Sequence, residues 1–149
     1  METNLSAVKP KDQGIRKIIL SGLVAGAVLL ILSVLGLYIT IWLLPNIASQ
    51  YFDPAFDTQS SRVMIYYLHP FVIGMALAWF WSRFKSSLTG SLLARGIEFG
   101  VIYVLIATLP MMWLIYSAMS ISLEMVATWF VLGILQGIVA GLIFEKMNP

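Results

Sequence analysis

Cysteine is absent from the 149 residues, and histidine occurs once, at His69. Without cysteine the chain forms no disulfide, carries no thiolate nucleophile and offers no Cys-ligated metal centre. A single histidine cannot build a multi-histidine metal site or supply two axial ligands to a haem. Charge is scarce as well. Only 11% of residues are Asp, Glu, Lys or Arg, against about a quarter in soluble domains. The net charge of +2 is too small for a nucleic-acid footprint. The chain has no Gly-rich phosphate loop, no HExxH and no Ser or Cys beside a base. These absences predict no cofactor, no metal, no catalytic residue and no nucleic-acid partner.

What the chain has in quantity is apolar surface. It is 60% hydrophobic, with a mean hydropathy of +0.91. A water-soluble fold of that composition would lack a polar exterior, so the predicted solvent is lipid. Crossing the hydrocarbon takes about 20 apolar residues. Four stretches suffice: 18–44, 62–81, 93–116 and 123–144. The first is too long for a signal-peptide core of roughly 7–15 residues, so it reads as an uncleaved helix. Residues 1–17 read as a short polar tail. The expected fold is therefore all-α, a single four-helix transmembrane domain over residues 1–149. Between the first two helices, residues 46–61 hold Asp53, Pro54 and Asp57, which signal a turn. Tyr51, Phe52 and Phe56 there suit a short interfacial helix.

Lys and Arg set the orientation. If residues 1–17 face the cytoplasm, the inner segments hold Lys9, Lys11, Arg16, Lys17, Arg83, Lys85, Arg95 and Lys146, and the outer segments hold Arg62 alone. This predicts an integral protein of a bacterial inner (plasma) membrane with both ends of the chain cytoplasmic.

The two halves resemble each other. Leu37–Pro45 (LYITIWLLP) parallels Ile102–Pro110 (IYVLIATLP), and Phe71–Gly74 parallels Phe130–Gly133. Two helical hairpins in the same orientation would be a parallel repeat of a kind some transporters use, although apolar helices also resemble one another by chance. Proline lacks the N–H that the carbonyl four residues back requires. Pro45, Pro110 and Pro70 are thus expected to kink their helices and free the carbonyls of Ile41, Ile106 and Tyr66.

Glycines recur at spacings of four: Gly22/Gly26, Gly96/Gly100 and Gly133/Gly137/Gly141. Residues four apart share a helix face, and small ones let two backbones approach closely. Close packing inside the bundle is the primary expectation, with homodimerisation through Gly133–Gly141 as the alternative. Methionines, including Met111 and Met112, read as packing filler.

Ionisable groups inside a bilayer are functional candidates by default. Here they are His69, Glu98 and Glu124, with Gln136 as a neutral fourth. Arg62, Tyr66 and His69 share one helix face. Tyr66, His69 and Glu124, with Tyr67 as a further candidate, could form an outward-facing pocket for protons or a cationic or polar ligand. The plainer alternative puts Glu124 in water at the positive end of its helix. The spacing of Glu98 and Arg95 permits an ion pair, snorkelling of both to the interface is the preferred reading, and Gln136 is expected to hydrogen-bond across a helix contact. Trp79 and Trp81 are expected in an inner aromatic belt, and Trp42, Trp113 and Trp129 toward the outer side. The function these features favour is non-enzymatic: an accessory, assembly or scaffold subunit acting by helix packing in lipid, as a homo-oligomer or with a membrane-protein partner. The alternatives are a small oligomeric transporter or channel using His69 and Glu124, and a lipid- or quinone-binding protein with its ligand between Trp113 and Tyr116.

Overall fold

The computed structural model describes residues 10–52 and 60–149. Every regular element among them is helical. The order is α1 (Pro10–Leu43), α2 (Pro45–Ala48), a 3-10 turn (Ser49–Phe52), α3 (Ser60–Phe84), a 3-10 turn (Lys85–Ser87), α4 (Leu92–Tyr103), a π turn (Val104–Thr108), α5 (Leu109–Ala118) and α6 (Leu123–Met147). Four stretches are long and apolar enough to cross a bilayer: Gly14–Leu43, Arg62–Ser87, Leu92–Ala118 and Leu123–Met147. The chain is an all-α membrane protein of four such helices.

The helices outrun the expected spans. α1 starts at Pro10 rather than Ile18, so Arg16 and Lys17 stand on the helix and not in a tail. Proline is tolerated in a first turn, where its missing N–H would have no partner, and nothing between Pro10 and Ile18 breaks the helix. α3 continues to Phe84 and α6 to Met147 for the same reason. At 1.5 Å per residue, the 25 residues of α6 reach about 37 Å, more than a hydrocarbon core of about 30 Å. The segment after α1 is helical from Pro45 to Phe52, while the expected turn at Asp53, Pro54 and Asp57 lies outside the described residues, as does Phe56.

The prolines behave differently from one another. Pro45 ends its helix rather than kinking it. Leu44, restricted by the following ring, takes φ −131° and ψ 59°, and Pro45 opens α2. Its equivalence with Pro110 does not extend to structure. Pro110 lies within a continuous span, directly after the π turn that absorbs the misfit. Pro70 sits inside α3.

The chain folds as two hairpins, α1 with α3 and α4–α5 with α6, joined along a seam between α1 and α6. Glycine makes each hairpin close. A Cβ on Gly74 would stand 2.6 Å from the Gly22 carbonyl oxygen and 2.7 Å from the Gly26 nitrogen. In the second hairpin, a Cβ on Gly100 would stand 2.6 Å from the Ile138 nitrogen, and one on Gly141 would strike the Gly96 carbonyl oxygen. Gly133 accepts the Thr108 methyl, and Gly137 the Tyr103 ring. All seven glycines picked out by spacing thus serve contacts within the chain, and the Gly133–Gly141 face is covered by α4 and the π turn. In the first hairpin Gly22 and Gly26 on α1 meet Gly74 on α3, and in the second Gly96 meets Gly141 and Gly100 meets Gly137. Gly74 and Gly137 stand equally far from the starts of α3 and α6. The sequence match aligns Gly74 with Gly133, which faces a threonine rather than a glycine.

Lipid supplies no hydrophobic drive between helices, so dispersion from close contact and hydrogen bonding must hold the seam. The best-packed region lies at the basic end of the bundle, where α1 starts, α3 ends, α4 starts and α6 ends. There Trp81, Phe99 and Phe144 stack edge-on or tilted, with ring centroids 5.2–6.2 Å apart, over Ala25, Leu29, Ala78 and Ala140. Trp81 is fully buried, so it is a core residue and not part of an interfacial belt. Trp79, Trp42 and Trp113 are exposed as a belt requires. The turn from α3 into α4 passes through Gly90 at φ +103°, a conformation that disfavours any side chain.

Candidate functional site

Three polar groupings tie the hairpins together, one at each end and one between. The densest is at the basic end. Arg95, near the start of α4, donates from Nη1 to Glu145 Oε1 at 2.8 Å and from Nη2 to the Lys85 carbonyl at 3.2 Å. Its guanidinium lies 5.7 Å from the centre of the Trp81 ring. Trp81 Nε1 donates to the Asn148 carbonyl at 2.9 Å. Lys85 Nζ donates to the same carbonyl at 3.2 Å, to Asn148 Oδ1 at 3.1 Å and to the main-chain oxygen of Pro149. The end of α3, the turn after it, the start of α4 and the end of α6 are thereby fastened around one ion pair.

Glu145 is 94% buried by its 6% exposure, and its Oε2 has no hydrogen-bond partner among the described residues, nor has Arg95 Nε. A carboxylate at such burial persists because its partner is close and charge-assisted. Arg95 therefore pairs with Glu145 and not with Glu98, which is exposed. A signal for this was present. Glu145 continues the four-residue spacing of Gly133, Gly137 and Gly141 by one turn, and Arg95 adjoins Gly96. The glycine contact that brings Gly141 onto Gly96 necessarily brings Glu145 toward Arg95.

Midway along the seam, Gln136 Nε2 donates to Ser33 Oγ at 2.9 Å and to the Leu29 carbonyl at 3.3 Å. This is the cross-helix bond its position predicts. Ser33, Thr40 and Ser21 return their own hydroxyl protons to carbonyls of α1. The Thr108 hydroxyl, buried in the π turn, has no partner among the described residues.

At the far end, the Ser122 N–H donates to Gln50 Oε1 at 3.3 Å, and Trp129 Nε1 donates to the Tyr51 hydroxyl. The Ser122 side chain caps α6 by accepting from Met125 N. These bonds hold the Pro45–Phe52 segment against the start of α6. Between them opens a groove of about 450 Å³ whose lining includes Leu43, Leu44, Ile47, Gln50 and Glu124.

Glu124 thus borders a groove made by the elbow after α1, and Tyr66 and His69 do not line it. Both of those are exposed on α3, as is Arg62. Tyr66 meets Tyr67 edge-on, with ring centroids 5.5 Å apart. Neither an ion pair nor a hydrogen bond joins His69 to Glu124. The structure leaves Arg62, Tyr66 and His69 exposed on α3 and places Glu124 at the groove instead. Trp113 and Tyr116 are likewise exposed on α5. The chain matches no family model, and no curated protein and no solved structure shows significant similarity to it.

Proposed function

We propose that this protein is a non-enzymatic subunit of a bacterial inner membrane, with its basic end in the cytoplasm, that assembles or supports other membrane components by helix packing. The observation carrying this reading is where unused surface lies. The glycine faces are consumed inside the hairpins, and the mid-seam Gln136 is bonded within the chain. By contrast, Arg62 through His69 on α3 are exposed without interruption, and Trp113 and Leu114 on α5 are largely exposed. These flanking halves are free to meet a helix of a different membrane protein. Photo-crosslinking from Met64, Leu68 and Leu114 in native membranes tests the reading. It predicts discrete adducts of one size from these positions. Lipid adducts alone would oppose it.

A second reading, a small oligomeric transporter, draws on His69. This histidine is exposed in the far half of α3 with no bond among the described residues, and an ionisable group so placed is costly unless it meets water or a partner. In an oligomer it could face a shared path with Glu124. Flux in liposomes that is lost in His69→Ala or Glu124→Gln would support transport. A broad screen without flux would remove it. A lipid- or quinone-binding role remains the third reading.

A further inference from the structure

The geometry points to the groove beneath the α1–α2 elbow as a binding site for a phospholipid with a protonated amine headgroup, its ammonium on Glu124 and an acyl chain along α1. This inference stands apart from the accessory role and does not depend on it.

The groove exists because Leu44 leaves the helical conformation and Pro45 restarts it, so the chain turns away from α1 at the top of the span. The Ser122–Gln50 bond pins that elbow beside the first turn of α6, which sets Glu124 at the groove wall. Leu43, Leu44 and Ile47 supply the apolar part of the lining. Glu124 is exposed and has no cationic partner among the described residues, and Arg95–Glu145 is the ion pair found there. An unpaired carboxylate against apolar walls, where the dielectric is lowered by the adjoining membrane, selects a cation carried on an apolar body.

The second observation concerns what leads away from the groove. Leu43, Ile39, Leu35 and Ile31 recur every four residues and are 67%, 56%, 50% and 57% exposed. They form one open apolar stripe, about 18 Å long at 1.5 Å per residue, that starts at the groove and descends into the span. An acyl chain lies along such a stripe, and a small soluble cation would leave it unused. The stripe therefore favours a lipid over a free organic cation.

Native mass spectrometry of the full chain in mild detergent provides the test, with phosphatidylethanolamine titrated in and phosphatidylglycerol as the anionic control. Wild type is expected to bind the amine lipid up to about fivefold more tightly than Glu124→Gln, the upper end for an exposed charge pair. Ile47→Trp, which fills the groove and leaves the carboxylate, should lose the same binding. His69→Ala should bind as wild type does. Equal binding of the amine lipid by wild type and Glu124→Gln overturns the proposal, as does retained binding in Ile47→Trp. Glu124-dependent binding of tetraphenylphosphonium without any for the amine lipid also overturns it, and would identify a free organic cation as the occupant.

Discussion

Gly74→Ala separates close helix packing from glycine content. The added Cβ would sit 2.6 Å from the Gly22 oxygen, 2.7 Å from the Gly26 nitrogen and 3.0 Å from the Gly26 Cα. All three are backbone atoms of α1, so no rotamer change relieves them. Reaching ordinary contact near 3.4 Å requires α1 and α3 to part by about 0.8 Å. A gap of that size forfeits a quarter to a half of the dispersion energy of the contacts it opens. Overpacking of this kind costs about 1–3 kcal/mol, and rigid neighbours place Gly74 in the upper part of that range. Gly14→Ala is the control, because nothing lies within 4 Å of its Cβ position. Both variants gain the same helix propensity, so their difference isolates the clash. Gly36→Ala should fall between them, since its neighbours at 3.1 and 3.2 Å are the rotatable methyls of Leu132. Steric trapping in bicelles measures the unfolding free energies. Gly74→Ala within about 0.5 kcal/mol of Gly14→Ala would refute the reasoning, since that is the ordinary scatter of an uninvolved site.

The other predictions concern polar groups and orientation. Glu145→Ala should cost about 3 kcal/mol by leaving the partly buried Arg95 without its partner, whereas replacing the pair together as Arg95→Met/Glu145→Leu should restore most of that stability; equal costs for the single and double changes would contradict the ion pair's role. Gln136→Leu should cost about 0.6–2 kcal/mol in the same assay, the measured range for hydrogen bonds between membrane helices. Because the chain has no cysteine, Asn46→Cys and Ser87→Cys report orientation directly. An impermeant maleimide applied to intact cells should label the first and spare the second, and the reverse pattern would invert the proposed topology.

Much of this fold was legible because lipid imposes few solutions. A backbone in hydrocarbon must satisfy its own hydrogen bonds, so four long apolar stretches become four helices. Glycine spacing likewise identified the packing faces, since a close approach needs small residues on one side. The ends of the helices were less legible. Pro10 and Met147 lie beyond the hydrophobic windows, and a helix does not stop where the hydrocarbon does. Trp81 resembled an interfacial tryptophan in sequence and is a core residue because α4 and α6 converge on it, a tertiary fact. Glu145 resembled a polar tail beside Lys146. Its burial follows from the register of Gly141 against Gly96, which only the pairing of α4 with α6 specifies. His69 lies nine residues beyond the start of α3 and Glu124 one residue beyond the start of α6, while α3 packs mainly on α1 and the elbow stands beside Glu124. Helix order, which sequence spacing does not encode, decides which polar groups meet.

In the proposed role this protein acts through its exposed flanks on another membrane component. The most direct test of that role is gentle extraction of native membranes into a polymer nanodisc, followed by native mass spectrometry of the purified particle. The account predicts a discrete assembly in which this chain and a different membrane protein appear in fixed stoichiometry. Recovery of the monomer or a self-dimer alone would contradict it.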